Sequence, residues 1–314
     1  MFSLGFDVGG TKILGVVTDS DDPGVVLAEQ RMPTPAGGTG LVDALCEVLG
    51  SLALPGVEPT ALGVGVPGLV DQSGRLHLGP HLRSVHDLPL ADLLRERAGL
   101  PAVVDNDANC HALAEREVGA AAGSDEALVV TFGTGVGAGL ITRGRVMRGA
   151  NGFAGEPGHM IVDRGGLACP CGQRGCWEQY ASGTGLANLA RQAAHEGRID
   201  AIVELAGGDP DAVRGEQVTA AARAGHAGAG QVMDELAGWM ALGLANLANI
   251  LDPAVIVIGG GLVEAADLLL PTLRTAFLGQ ILGGDQRAPI VIVPAALGER
   301  AGAIGAAVLA QGSV

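Results

Sequence analysis

One structural unit is written twice in this chain. An apolar strand, a Gly-rich polar loop and a second apolar strand occur as FDVGGTKILGVV at 6–17 and again as TFGTGVGAGLI at 131–141. Two copies of one strand–loop–strand unit predict a duplicated α/β architecture, with a lobe on each copy. At 314 residues the chain has room for both lobes. Residues 1–110 with 300–314 are expected to form one lobe and 111–299 the other.

The pattern between the copies supports this. Leu4–Phe6, Gly15–Thr18 and Val26–Met32 are predicted strands of a meander, and Ala61–Val66 and Ala102–Val104 are short buried strands. Leu41, Leu45, Val48 and Leu52 recur at helical spacing, and Leu90–Arg97 and Ala108–Val118 also read as helices. Ala127–Phe132, Ala138–Thr142, Ala254–Ile258 and Ile290–Val293 are the strands of the second half. Helices are expected across 185–250, and Ala301–Ala310 is a small-residue helix placed to return to the first lobe. The 52 glycines follow no collagen period, so they predict tight turns and close backbone approaches.

The loops carry the chemistry. In Asp7-Val8-Gly9-Gly10-Thr11-Lys12, two glycines let backbone N–H groups approach a polyanion, and the Thr11 hydroxyl can donate to a phosphate oxygen. Asp7 ends the strand where a carboxylate can hold Mg²⁺ directly or through water. A plain hairpin turn is the competing reading for this loop alone. A strand, not a helix, follows it, which excludes both the Walker loop and the dinucleotide fingerprint. Gly133-Thr134-Gly135 repeats the arrangement, and Gly259–Gly261 follows a third strand. As a set they match the nucleotide cradle of the actin/hexokinase-like (ribonuclease H-like) ATPase fold. There, two loops clasp the phosphates of ATP and a late Gly run, here Gly260 and Gly261, lies against the adenosine.

Asp105-Asn106-Asp107-Ala108-Asn109 runs from a strand into a helix. Phosphoryl transfer to a hydroxyl needs one carboxylate to accept the proton, and a carboxylate at a helix N-terminus stays ionised. Asp and Asn are also favoured N-caps, so one member of the run caps. His159, Cys169, Cys171 and Cys176 follow the pattern H-x9-C-x-C-x4-C in a stretch, 143–185, that has no clear period. One imidazole and three thiolates complete a tetrahedral Zn²⁺ shell, and four protein ligands make the site structural. Glu156 and Glu178 flank the knot, which would hold both rigidly enough to bind paired sugar hydroxyls.

A net charge of −15 argues against nucleic acid and against anionic membrane surfaces. No apolar run reaches membrane length, and no basic segment with a long apolar run opens the chain. A cytoplasmic protein with reduced cysteines is expected.

These motifs together resemble the ROK family of repressors and sugar kinases, nearly end to end. DVGGTK (7–12) resembles its first phosphate loop, GVGVPGLVD (63–71) its segment near the sugar, and DNDAN (105–109) its catalytic motif. GTGVGAGLI with GANGFAGEPGHM (149–160) resembles the family signature, and CPCGQRGCWEQYASG (169–183) its zinc segment. GCWEQYASG is most similar to the glucokinase branch. The resemblance implies a sugar cleft between the two lobes and transfer of the ATP γ-phosphoryl to glucose. It makes Asp107 the base and leaves capping to Asp105 or Asn109. It places sugar contacts on Asn106, Asp107, Glu156, His159, Glu178 and Gly68, and gives His159 a second role as zinc ligand. A dimer or tetramer is implied. The departure is HLRSVHDLPL (81–90), where His81 stands in place of the family's Asn. Other readings are a kinase for N-acetylglucosamine, N-acetylmannosamine, mannose or fructose, a polyphosphate donor, or a sugar-responsive regulator. The family's regulators carry an N-terminal DNA-binding domain, which is not expected here with the first phosphate loop at Asp7, so this reading is of a regulator without one.

Overall fold

The computed structural model describes residues 1–36, 40–79, 82 and 85–312. His81 and residues 313–314 of the expected first lobe lie outside the described residues. The first half contains β1 (Phe2–Val8), β2 (Lys12–Asp19), β3 (Val26–Pro33), α1 (Leu41–Ser51), β4 (Pro59–Val66), β5 (Leu69–Val70), β6 (Leu76–Leu78), β7 (His86–Leu88), α2 (Leu90–Ala98), β8 (Ala102–Asn106) and α3 (Asp107–Val118). Then come β9 (Ala127–Phe132), β10 (Val136–Thr142), β11 (Arg145–Val146), α4 (Glu178–Ala181), α5 (Gly183–His195), α6 (Asp200–Leu205), α7 (Gly215–Arg223), α8 (Ala227–Leu251), β12 (Val255–Gly259), α9 (Ala266–Gln280), β13 (Val291–Pro294) and α10 (Ala301–Gln311). No helix among the described residues is long and apolar enough to cross a membrane.

The duplication is visible in the sheets. One has the order β3-β2-β1-β4-β8 and the other β11-β10-β9-β12-β13. Each is a meander of three consecutive strands followed by two later strands, and the later pairs β4–β8 and β12–β13 are parallel. A small third sheet, β5-β6-β7, was not foreseen: its strands are two or three residues long, too short to show a period. Helix α9 was also unread, and Pro271 lies inside it.

By their contacts the residues fall into two compact units: 1–129, 138–155 and 295–314 form the first, and 130–137 with 156–294 the second. The expected boundary at 110/111 would cut α3. That helix belongs wholly to the first unit, because it packs against α10 at a spacing only glycine permits. A Cβ on Gly305 would sit 1.7 Å from the Cys110 carbonyl oxygen.

The first unit is layered by strand alternation. Leu4, Phe6 and Val8 of β1, Ile13 and Val17 of β2, and Leu62, Val64 and Val66 of β4 share one core with Leu41, Leu45 and Val48 of α1 and Leu90 and Leu94 of α2. The opposite face of β1 and β4 presents glycine. A Cβ on Gly5 would meet the Ala303 oxygen at 1.9 Å, and one on Gly63 the Ala306 oxygen at 1.8 Å. Backbone thus lies on backbone beneath α10, which explains how a chain with 3% aromatics builds a dense core.

The second unit centres on α8, which buries Val232, Leu236, Met240 and Leu244. Trp177 is fully buried against it: its Nε1 donates to the Trp239 carbonyl at 2.7 Å, and its ring meets Phe132 edge-on at 5.5 Å. A Cβ on Gly243 would fall 2.0 Å from the Trp177 ring, so α8 carries glycine where the indole enters.

Candidate functional site

In the first unit the loop after β1 is a hairpin closed by Gly9 N–H donating to the Lys12 carbonyl at 2.8 Å. Thr34 fastens it, its hydroxyl donating to the Gly9 carbonyl at 2.7 Å. Gly10 and Thr11 are exposed at the tip, and the Lys12 ammonium lies 3.0 Å from Glu299. Behind the loop, burial raises the Asp7 carboxyl from 3.8 to about 6; the His111 and Lys12 charges oppose the rise and Asp107 adds to it. Asp7, His111 and Asp107 therefore form one electrostatic group. Gly302 of α10 leaves it space, since a Cβ there would lie 2.5 Å from the Asp7 carboxyl carbon.

Asp107 opens α3, and its Oδ1 accepts from Ala108 N–H at 2.9 Å. The cap was misassigned. Asn106, not Asp105 or Asn109, caps α3, with Oδ1 accepting from the N–H groups of Ala108 and Asn109 at 2.8 and 3.3 Å. Its Nδ2 donates to the Gly68 carbonyl at 3.1 Å. Gly68 has a φ of 121°, and a Cβ there would strike the Leu78 oxygen at 1.9 Å, so this contact requires glycine. Asp105 is buried instead as a strut, accepting from Asn109 Nδ2 at 2.9 Å and from Arg148 Nε at 2.6 Å.

In the second unit, Gly133 and Thr134 are tied to the start of α5. Gly183 N–H donates to the Gly133 carbonyl at 2.8 Å and the Thr184 hydroxyl to the Thr134 carbonyl at 2.7 Å. Gly260, at φ 80°, lies so close to the end of β9 that a Cβ would be 2.5 Å from Phe132 backbone atoms. The second Gly loop and the late Gly run are therefore neighbours. Glu178, first residue of α4, reaches the same place: a Cβ on Gly135 would meet its Oε2 at 2.5 Å. Glu156 precedes a 3-10 turn, Pro157–His159, that presses Gly158 against the Val136 carbonyl.

His159, Cys169, Cys171 and Cys176 converge, with one ligand atom from each within 4.8 Å of all the others. His159 Nδ1 is 3.9 Å from Cys169 Sγ, and Cys171 Sγ is 3.6 Å from Cys176 Sγ. A tetrahedral zinc with Zn–S of about 2.3 Å and Zn–N of about 2.0 Å has edges of roughly 3.5–3.8 Å. The donor set fits that ion in number, kind and spacing. Around it the backbone folds back on itself, with Val162 N–H on the Gly175 carbonyl, Cys169 N–H on Gln173 and Trp177 N–H on Met160, at 2.8–2.9 Å. Glu178 Oε1 accepts from the Cys169 thiol at 3.1 Å, joining the knot to the Gly135 loop. Trp177, beside Glu178, is fully buried in the core of the second unit.

The ROK family model matches residues 3–313. The chain belongs to the ROK family. The glucokinase of Streptomyces coelicolor is 38% identical over 312 residues, 98% of this chain and 97% of its own. The structure of a ROK glucokinase from Streptomyces griseus in complex with glucose and AMPPNP superposes with a TM-score of 0.87 at 38% identity, covering 99% of this chain and 100% of that one. The ROK hexokinase of Thermus thermophilus gives 0.80 at 34%, covering 99% and 98%. With these structures the chain shares the two-domain actin/hexokinase-like fold.

Two supports of this ROK site escaped the sequence reading. Arg148 stands just before the 149–160 signature and pairs with buried Asp105; only its adjacency to that motif could have marked it. Glu115 is buried in α3 and accepts from Ala120 N–H at 2.7 Å and from Ala296 and Leu297 N–H at 3.0 Å. A lone Glu in a helix carries no signal of contacts so distant in sequence.

Proposed function

We propose that this chain is an ATP-dependent hexose kinase that converts glucose to glucose 6-phosphate, with Asp107 as general base. The observation that carries the reading is its near full-length similarity to a ROK glucokinase described with glucose and AMPPNP. The electrostatic grouping of Asp107 with Asp7 and His111 supports the choice of base.

In this reading the Asp107 carboxylate takes the proton of the sugar 6-hydroxyl as that oxygen bonds to the γ-phosphorus. The bond from γ-phosphorus to the bridging oxygen breaks in line, and ADP leaves. N–H groups of Gly10 and Gly135, with Thr11, Thr134 and Lys12, donate to phosphate oxygens, while Gly9 and Gly133, whose own N–H groups close the two turns onto Lys12 and Gly135, let the phosphates approach the backbone. Gly260 and Gly261 face the adenosine. Asp7 would hold Mg²⁺, which supplies positive charge against the phosphates. Asn106 keeps one Nδ2 hydrogen for a sugar hydroxyl while Gly68 fixes the other. Glu156, His159 Nε2 and Glu178 bind the remaining hydroxyls. Cys169, Cys171, Cys176 and His159 Nδ1 would hold Zn²⁺, which supplies rigidity to a loop without a core.

A coupled ADP-release assay tests this with glucose, mannose, fructose, N-acetylglucosamine and N-acetylmannosamine, and with polyphosphate replacing ATP. Glucose with ATP should give the highest kcat/KM. Preference for another sugar or donor, or silence with all of them in zinc-loaded protein, overturns the reading. Asp107→Asn should lower kcat by about 10²–10⁴-fold and leave the calorimetric glucose affinity within a few-fold; turnover like the parent's removes the base.

A further inference from the structure

An open cavity of about 530 Å³ lies behind the metal loop, wholly within the second unit, and none of the residues assigned above lines it. That volume is in the range of small-molecule sites. Tyr180 and Trp239 give it an aromatic wall, their rings 4.4 Å apart and tilted by 34°. Two arginines line it. Arg174 belongs to the metal loop, between Cys171 and Cys176, and Arg191 belongs to α5. Among the described residues neither is in an ion pair; Arg191 donates only to Asn188 Oδ1, at 3.0 Å. Asp163 also lines the cavity, but its oxygens are engaged by the Tyr180 hydroxyl at 3.1 Å and the Gly165 N–H at 3.2 Å. In a chain with 34 acidic against 19 basic residues, a cavity lined by two arginines against one carboxylate, Asp163, is locally positive and suited to an anion. The aromatic wall beside it suits the C–H face of a ring.

We propose that this cavity is a second binding site for a phosphorylated sugar, with the phosphate held between Arg174 and Arg191 and the ring against Tyr180 and Trp239. Such a ligand bridges the metal loop to α5. The Tyr180 hydroxyl already accepts from Leu167 N–H at 2.7 Å, so the occupant bears on the metal loop and on α4, which carries Glu178 two residues before Tyr180. The sugar half of the ligand rests on the kinase reading, whose product has this chemistry; the anion site does not.

Isothermal titration with glucose 6-phosphate tests it, with glucose and inorganic phosphate as separate arms, on the parent protein and on Arg174→Gln/Arg191→Gln. Both arginines are outside the catalytic machinery, so turnover of glucose by the double variant should match the parent and report its folding. The double variant should bind one equivalent of glucose 6-phosphate fewer than the parent, or bind that equivalent at least ~10-fold more weakly. Phosphate should compete for the same equivalent and glucose should not. Equal stoichiometry and affinity in both proteins overturns the site, whatever the kinase assay gives. Competition by phosphate without a saturable sugar-phosphate equivalent also overturns it, leaving a bare anion site. Failure of the kinase reading shows separately, as absence of turnover in the parent.

Discussion

At the scale of single residues, the first unit keeps a carboxyl where it does not favour ionisation. Asp7 binds its proton up to about pH 6, against 3.8 for the free group. The native state therefore holds more protons than the unfolded state between those values, and stability falls as pH rises through the window. Above about pH 6 the full cost is present. Asp7→Asn should raise stability by ~1–2 kcal/mol at pH 7.5, allowing for residual exposure, and by only a few tenths of that at pH 4. Kinase activity should drop sharply. Thermal melts at the two pH values check this, and an unchanged or lower Tm at pH 7.5 refutes it. His77 has the opposite sign. Its Nε2 lies 2.9 Å from Asp71 and its Nδ1 2.8 Å from Asp87, and these hydrogen bonds, Asp71 first, raise its pKa above 6.5. The imidazolium clamp is whole below the unfolded pKa and is lost as pH rises through the folded one. A small fall in Tm is expected across that range, and His77→Gln should flatten it; the same slope in both proteins would show that His77 is not the group. The DNDAN run shows how far the sequence could be read at this scale. It located the helix start and the acids, but the choice of cap among adjacent Asp and Asn residues depends on which side chain points back to the N–H groups.

At the scale of elements, legibility followed periodicity. The β1–β2–β3 meander, α1, α3 and α10 were readable because alternation or helical spacing runs through them. The β5-β6-β7 sheet has no such run, and α9 hides behind its internal proline. What no pattern announces is why α10 is so rich in Ala and Gly: the reason lies on other strands, in Gly5 and Gly63. Gly63→Ala places a methyl against the Ala306 carbonyl and should cost ~3 kcal/mol or more. Gly50, near the end of α1, has open space around its Cβ position and no positive φ. Gly50→Ala should therefore stabilise by ~0.5–1 kcal/mol. Urea unfolding of the two variants compares them directly. Similar midpoints would mean that the glycines of β4 are not set by the approach of α10.

At the scale of the whole molecule, the two units draw their order from different sources. The first has a continuous apolar core on one face of its sheet and close backbone packing on the other. The second holds 156–177 by backbone turns and by the convergence of His159, Cys169, Cys171 and Cys176, with Trp177 carrying the end of that segment into the packed structure around α8. If zinc is what closes the knot, its removal should be felt unevenly. Hydrogen exchange with and without a chelator should show lost protection across 159–181, at the start of α5 and around Trp239–Gly243 of α8. The amides of β1, β4 and α10 should exchange as before. Cys171→Ser should reproduce the pattern without chelator and bind less than one zinc per chain. Glucose affinity should weaken with it, because His159 and Glu178 lose their fixed positions. Protection unchanged in 159–181 after the metal is gone would mean that backbone turns alone hold the knot. Loss of protection everywhere would mean that the metal supports the entire fold.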